Sequence, residues 1–154
     1  MNNGLRTIPF IAVAALLLGL VNPSLGEAKN EIYTNWRGLA IKGYDAVAFF
    51  KDSTPVEGSK EYELTWKEVK WRFASAENRD LFEADPENYA PQYGGYCAWA
   101  VAQGSTASVD PKNAWVIVAG KLYLNYNKEI QTKWAKDIPG NIAKADANWP
   151  GVLE

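Results

Sequence analysis

A single cysteine, Cys97, stands in the stretch Gly94-Gly95-Tyr96-Cys97-Ala98-Trp99-Ala100 and is the one strong nucleophile of a 154-residue chain that has no histidine. Without histidine, Ser-His-Asp and Cys-His catalysis and histidine-based metal centres are excluded, because the usual acid/base near neutral pH and the commonest metal ligand are both missing. With one cysteine, no disulfide can form within the chain. Cys97 itself supports two readings. Two glycines open a run of good helix formers that ends at Gly104, and a helix beginning at about Tyr96 puts the thiol in its first turn. There, unpaired backbone N–H groups and the helix dipole favour a thiolate, giving a lowered pKa and a catalytic role for Cys97. Gly94 and Gly95 would admit a substrate to the backbone, with Tyr96 and Trp99 beside it as ligand-binding residues. The other reading is a small buried filler among aromatic side chains. Tyr89, Tyr93, Tyr96 and Trp99 accordingly read either as a pocket lining or, preferentially, as core.

Carboxylates give no acid/base pair. Asp80, Glu83, Asp85 and Glu87 cluster, but on short capped helices where acids complement the N-terminal dipole. A lone thiolate is a poor start for zinc, which takes four nitrogen, sulfur or oxygen ligands, and no metal-ligating residue is assigned. The cofactor stays unknown. A soft-metal or small-ligand binding module remains an alternative to thiol chemistry, as does a non-catalytic interaction domain with a packed cysteine.

The elements that must position these residues follow from pattern. Arg6 leads into an apolar run from Ile8 to Val21, which is shorter than the roughly 20 residues of a membrane-spanning helix. Pro23 and the small residues Ser24 and Gly26 follow, so residues 1–26 read as a signal peptide cleaved near Gly26. The expected product is periplasmic or secreted, with no stable membrane anchor. Arg6 leaves with this segment, so the remainder carries 15 basic and 18 acidic side chains. That balance gives no reason to expect a nucleic-acid partner. About 128 residues (27–154) suffice for one domain with its own core, and the chain's seven Trp and eight Tyr supply large apolar surfaces.

Along that domain, residues 27–37 read as a lead-in with Tyr33 and Trp36 as docking points. Leu39 to Phe50 reads as a bent segment ending in a strand. Alternation through Tyr62, Leu64, Trp66, Val69, Trp71 and Phe73 predicts a hairpin turning at Lys67-Glu68. Ser75 caps a short helix with Glu77 in its first turn, and Asp85-Pro86 starts another. A second hairpin turns at Ala119-Gly120. Asn127 caps a last helix that halts near Pro139-Gly140 and resumes over 141–147. The fold class is α+β, a small single domain with two β-hairpins and several short helices.

The stretch WRFASAENRDLFEADPENYAPQYGGYCA, Trp71 to Ala98, resembles the YHS domain family. The likeness extends through GYDAVAFF (43–50), KLYLNYN (121–127) and the C-terminal AKADANWP, covering nearly all of the chain after residue 26. More narrowly it resembles the exported branch described as YHS domain-containing (seleno)proteins, in which the position of Cys97 can hold selenocysteine. Metal-binding YHS domains carry cysteines where this chain has Tyr44-Asp45-Ala46-Val47 and Phe73-Ala74-Ser75, so the resemblance implies no inherited metal site. It implies instead redox chemistry at Cys97. A partner protein's thiol, or a small-molecule oxidant, would have to complete the cycle. The oligomeric state is unknown.

Overall fold

The computed structural model describes residues 28–154; the expected signal peptide lies outside the described residues. The described part is α+β, with two separate antiparallel hairpins among short helices. The first hairpin pairs β1 (Ser59–Trp66) with β2 (Val69–Phe73), Leu64 opposite Trp71 and Trp66 opposite Val69. Its turn places both Lys67 and Glu68 at positive φ, 48° and 62°. That backbone suits the right-handed twist of the strands but usually recruits Asn or Gly. The second hairpin pairs β3 (Trp115–Val118) with β4 (Lys121–Leu124) around Ala119-Gly120.

Strand alternation decides where the core sits. On β4, Leu122 and Leu124 enter one buried cluster with Phe49, Trp71, Phe73, Phe82 and Val109, while Tyr123 enters a second with Tyr93, Tyr96, Val101 and Trp134. Successive residues of a strand point to opposite faces, so β4 is the wall the two clusters share.

Four helix starts follow from side-chain caps. Ser75 Oγ accepts the N–H of Asn78 at the head of α2 (Ala76–Ala84), and Asn127 Oδ1 accepts that of Ile130 at the head of α5 (Lys128–Trp134). Each satisfies a donor that a helix leaves open. The expected strand ending at Phe50 is instead a helix, α1 (Ala46–Lys51), after a 3-10 turn at Ile41–Gly43. A short apolar run fits either state by pattern, and Asp45 decides between them. Its Oδ1 accepts from the N–H of Val47 and Ala48, and its Oδ2 from Ala74 N–H and Asn78 Nδ2 at 2.8 and 2.7 Å. One fully buried carboxylate therefore caps α1 and ties it to the junction of β2 and α2.

Asp85-Pro86 does open a brief helix, α3 (Pro86–Tyr89), although the Asp85 side chain makes no cap. The last helical segment breaks earlier than expected. α6 (Ile138–Asn148) already contains Pro139, and Asp137 caps it through Gly140 N–H. Proline here begins a helix rather than ending one, because its missing N–H falls among the donors left open at a helix start. The lead-in also departs in part. Tyr33 docks, its hydroxyl 2.8 Å from Ser108 Oγ and its ring edge-on to Tyr96, whereas Trp36 is 93% exposed. Among the described residues, no helix is long and apolar enough to cross a membrane.

Candidate functional site

The helix expected from Gly94 through Ala102 is shorter and starts later. Residues Gln92–Gly95 form a 3-10 turn in which Tyr93, Gly94 and Gly95 all have positive φ, Tyr96 is extended, and α4 covers only Ala98–Ala102. The glycines thus reverse the chain instead of continuing the helix. Gly94 is also required for contact, since a Cβ there would overlap the carbonyl oxygen of Glu31. The lead-in strap lies directly on this turn, with Tyr33 N–H donating to Gly94 O.

Cys97 is consequently the residue just before α4, not a member of its first turn. Its thiol does not cap the helix. That task falls to Asn125, whose Oδ1 accepts the N–H of Trp99 at 3.2 Å from across the fold. The same oxygen lies 3.8 Å from Cys97 Sγ, within reach of a thiol donor. Asn125 is fully buried and held at both ends of its backbone, donating to Ala114 O and accepting from Asp110 N–H.

The thiol is closed off. Cys97 is 1% exposed and sits in the first core cluster, with Trp99, Ala100 and Ala107 packed against that cluster. Burial pushes its pKa above the ordinary thiol value, and backbone N–H groups of Ala100, Tyr126 and Trp99 near the sulfur oppose this without reversing it. The expected low-pKa thiolate is therefore corrected: taking the anion out of water costs more than those amides return. Of the other expected ligand-binding residues, Gly95 and Tyr96 are buried and Trp99 is half-buried. Tyr96 borders a shallow groove with the lead-in, its hydroxyl bonded to Asn30 O. Gly94 alone reaches the cleft described next. Trp99 meets the sulfur through its backbone N–H and packs against the same cluster, whereas Tyr96 belongs to the second cluster and Gly94 lines the separate cleft.

That cleft holds about 240 Å³ between the lead-in, the β1–β2 turn, the Pro91–Gly94 turn and the end of α6. Trp66, Tyr93 and Trp149 contribute rings to it. Glu31, Glu87 and Asp146 face a single cation, Lys67. Lys67 Nζ lies 2.6 Å from Glu31 Oε1, 3.4 Å from Glu87 Oε1 and 4.7 Å from the centre of the Trp66 ring. At the far end Tyr93 donates its hydroxyl to Asp146 Oδ1 at 2.8 Å. Burial first, and then that carboxylate, push the Tyr93 phenol far above its ordinary value, so it stays a donor. The cleft thus brings aromatic rings and three carboxylates together around one ammonium, an arrangement that attracts cations.

Sequence reasoning missed this cleft. Lys67 read only as a hairpin turn, Glu87 only as a helix-start acid, Asp146 only as part of the C-terminal AKADANWP stretch, and Glu31 carried no motif. Among the described residues no group of three or more His, Cys, Asp or Glu side chains could hold a metal ion. Compared with family models, curated proteins and solved structures, the chain matches none.

Proposed function

We propose that the chain is an exported YHS-like domain that works as a small-ligand binding module, taking a small organic cation in the Lys67 cleft, with Cys97 a packed structural residue. The observation that carries this reading is the setting of Lys67. The cleft already holds one ammonium over an indole face between two carboxylates, the contacts that recognise amine ligands elsewhere. Two further carboxylate and aromatic groups, Asp146 and Trp149, extend the same surface beyond it.

Titration of the purified protein with butylammonium and with arginine, followed by tryptophan fluorescence, tests it. Saturable quenching or enhancement is expected. Lys67→Met should tighten binding roughly two- to fivefold, because it removes a competing exposed cation whose pairing is worth up to about 1 kcal/mol. An absence of saturable binding in both proteins contradicts the reading.

One observation favours a second reading, thiol redox chemistry at Cys97 with a small oxidant. Three backbone N–H groups, of Trp99, Ala100 and Tyr126, lie close enough to the sulfur to lower its pKa. Such donors stabilise negative charge on sulfur whenever it forms. The resemblance to a branch that places selenocysteine at this position supports the same chemistry. A covered sulfur would then react during local opening, so its oxidation by hydrogen peroxide would be slow and set by that opening.

A further inference from the structure

Among the described residues the most exposed large apolar side chain lies outside the Lys67 cleft. Trp36, 93% exposed, stands in the tight turn between Thr34 and Ala40, which pair as a single antiparallel bridge. That turn is braced by its own hydrogen bonds. Asn35 Oδ1 accepts from the N–H groups of Arg37 and Leu39 at 3.0 and 3.1 Å, Asn35 N–H donates to Leu39 O, and Gly38 N–H donates to Asn35 O. Leu39 and Ala40, which follow, are buried and anchor it. The indole is thus held out in water, with the Arg37 guanidinium carbon 5.9 Å from its ring centre. Arg37 also lines a pocket of about 150 Å³ together with Lys42, Tyr44, Glu57 and Arg72. Glu63 pairs with Arg72 at 3.0 Å and with Lys70 at 3.7 Å. Arg37 and Lys42 have no ion pair among the described residues. This neighbourhood gathers four cations, Arg37, Lys42, Lys70 and Arg72, and two carboxylates, Glu57 and Glu63. It is locally positive in a chain whose acids outnumber its bases, and it shares no lining residue with the acidic Lys67 cleft.

We infer that the Trp36 turn docks on a lipid surface bearing anionic headgroups, the indole entering the headgroup layer while Arg37 and Lys42 meet lipid phosphates. This goes beyond ligand binding in the Lys67 cleft and is independent of it. Indole rings favour the boundary between water and hydrocarbon, and each cation near an anionic surface adds attraction. A protein partner fits these observations less well. A hot spot in a protein interface needs surrounding contacts that exclude water, and a side chain exposed to this extent has almost none of its own. The headgroup layer encloses an inserted ring by itself. With one ring and two unpaired cations the attachment is weak and reversible, and salt screens its electrostatic part.

Co-sedimentation of the purified protein with vesicles tests it. Vesicles of phosphatidylglycerol and phosphatidylethanolamine in equal parts should carry the protein down at low ionic strength, those of phosphatidylcholine several-fold less, and high salt should release it. Arg37→Gln and Lys42→Gln should each weaken the partition about fivefold. Trp36→Ala should weaken it more, and should abolish the protection that anionic vesicles give tryptophan fluorescence against quenching by acrylamide. All three side chains are exposed, so the melting temperature should not move and a loss of binding reports the surface rather than the fold. Wild-type protein that stays in solution with anionic vesicles, or a Trp36→Ala variant that binds as well as wild type, overturns the inference. Without vesicle binding, saturable uptake of inorganic phosphate that Lys42→Gln removes would make the pocket a free-anion site instead. Without vesicle binding, a dimer that Trp36→Ala dissociates would assign the turn to a second copy of the chain.

Discussion

The surroundings of Cys97 and of Lys67 put the chain's two most chemically suggestive side chains under opposite conditions. The sulfur is 1% exposed, fixed by partners far away in sequence, and made harder to ionise by burial. The Lys67 ammonium is on the surface, with its partners Glu31 and Glu87 both largely exposed. Intrinsic reactivity therefore sits where nothing can reach it without motion, and modest chemistry sits where a ligand can arrive. A nucleophile's identity alone does not mark a site. Access and the cost of desolvating its charged form decide whether it acts at rest.

If the comparison holds, changes in the closed region should cost stability and changes in the open one should cost binding. The largest effect is expected for Asn125→Ala. It strips the Trp99 N–H and the Cys97 thiol of their acceptor and leaves a hole in the core, lowering stability by about 2–4 kcal/mol in denaturant titration. A loss below about 0.5 kcal/mol would show that the polar link to Cys97 carries no structural weight.

Cys97→Ser should cost less, about 1–3 kcal/mol for burying a more polar group, since the hydroxyl retains Asn125 Oδ1 as a partner. Its dependence on pH separates burial from reactivity. The folded thiol has a raised pKa, so its contribution is complete below the unfolded thiol value near 8.5 and is lost as pH rises through the folded one. Wild type should accordingly lose stability relative to Cys97→Ser on the alkaline side. A relative gain there would mean that the fold favours the thiolate.

In the open region, Glu31→Gln and Glu87→Gln should leave the melting temperature unchanged, because exposed ion pairs contribute little. They should weaken amine binding two- to fivefold each, read by the same fluorescence titration. Equal binding in both variants would remove the carboxylates from the account.

Much of the scaffold was legible because its signals are local. The caps at Ser75 and Asn127 each need only three residues of context, and the two hairpins announce themselves by alternation. What was illegible depends on distant partners. α1 looked like a strand because its apolar run is short, and the carboxylate that makes it a helix also bonds Ala74 and Asn78, about thirty residues on. The helix at Cys97 was placed too early because Tyr93, a residue that ordinarily avoids positive φ, adopts it beside two glycines. The sulfur's polar partner is Asn125, which no local rule links to residue 97. The cleft draws Glu31, Lys67, Glu87 and Asp146 from four separate segments. No spacing in the sequence could have joined them.

The most direct test of the contrast is the rate at which iodoacetamide alkylates Cys97, measured against pH in native and in denatured protein. Native alkylation is expected to be slower by on the order of 100-fold, as for a group reached only by local opening, with a pH midpoint above the free-thiol value of about 8.5. Rapid, complete alkylation of the native protein at neutral pH, with a midpoint below that value, would contradict it.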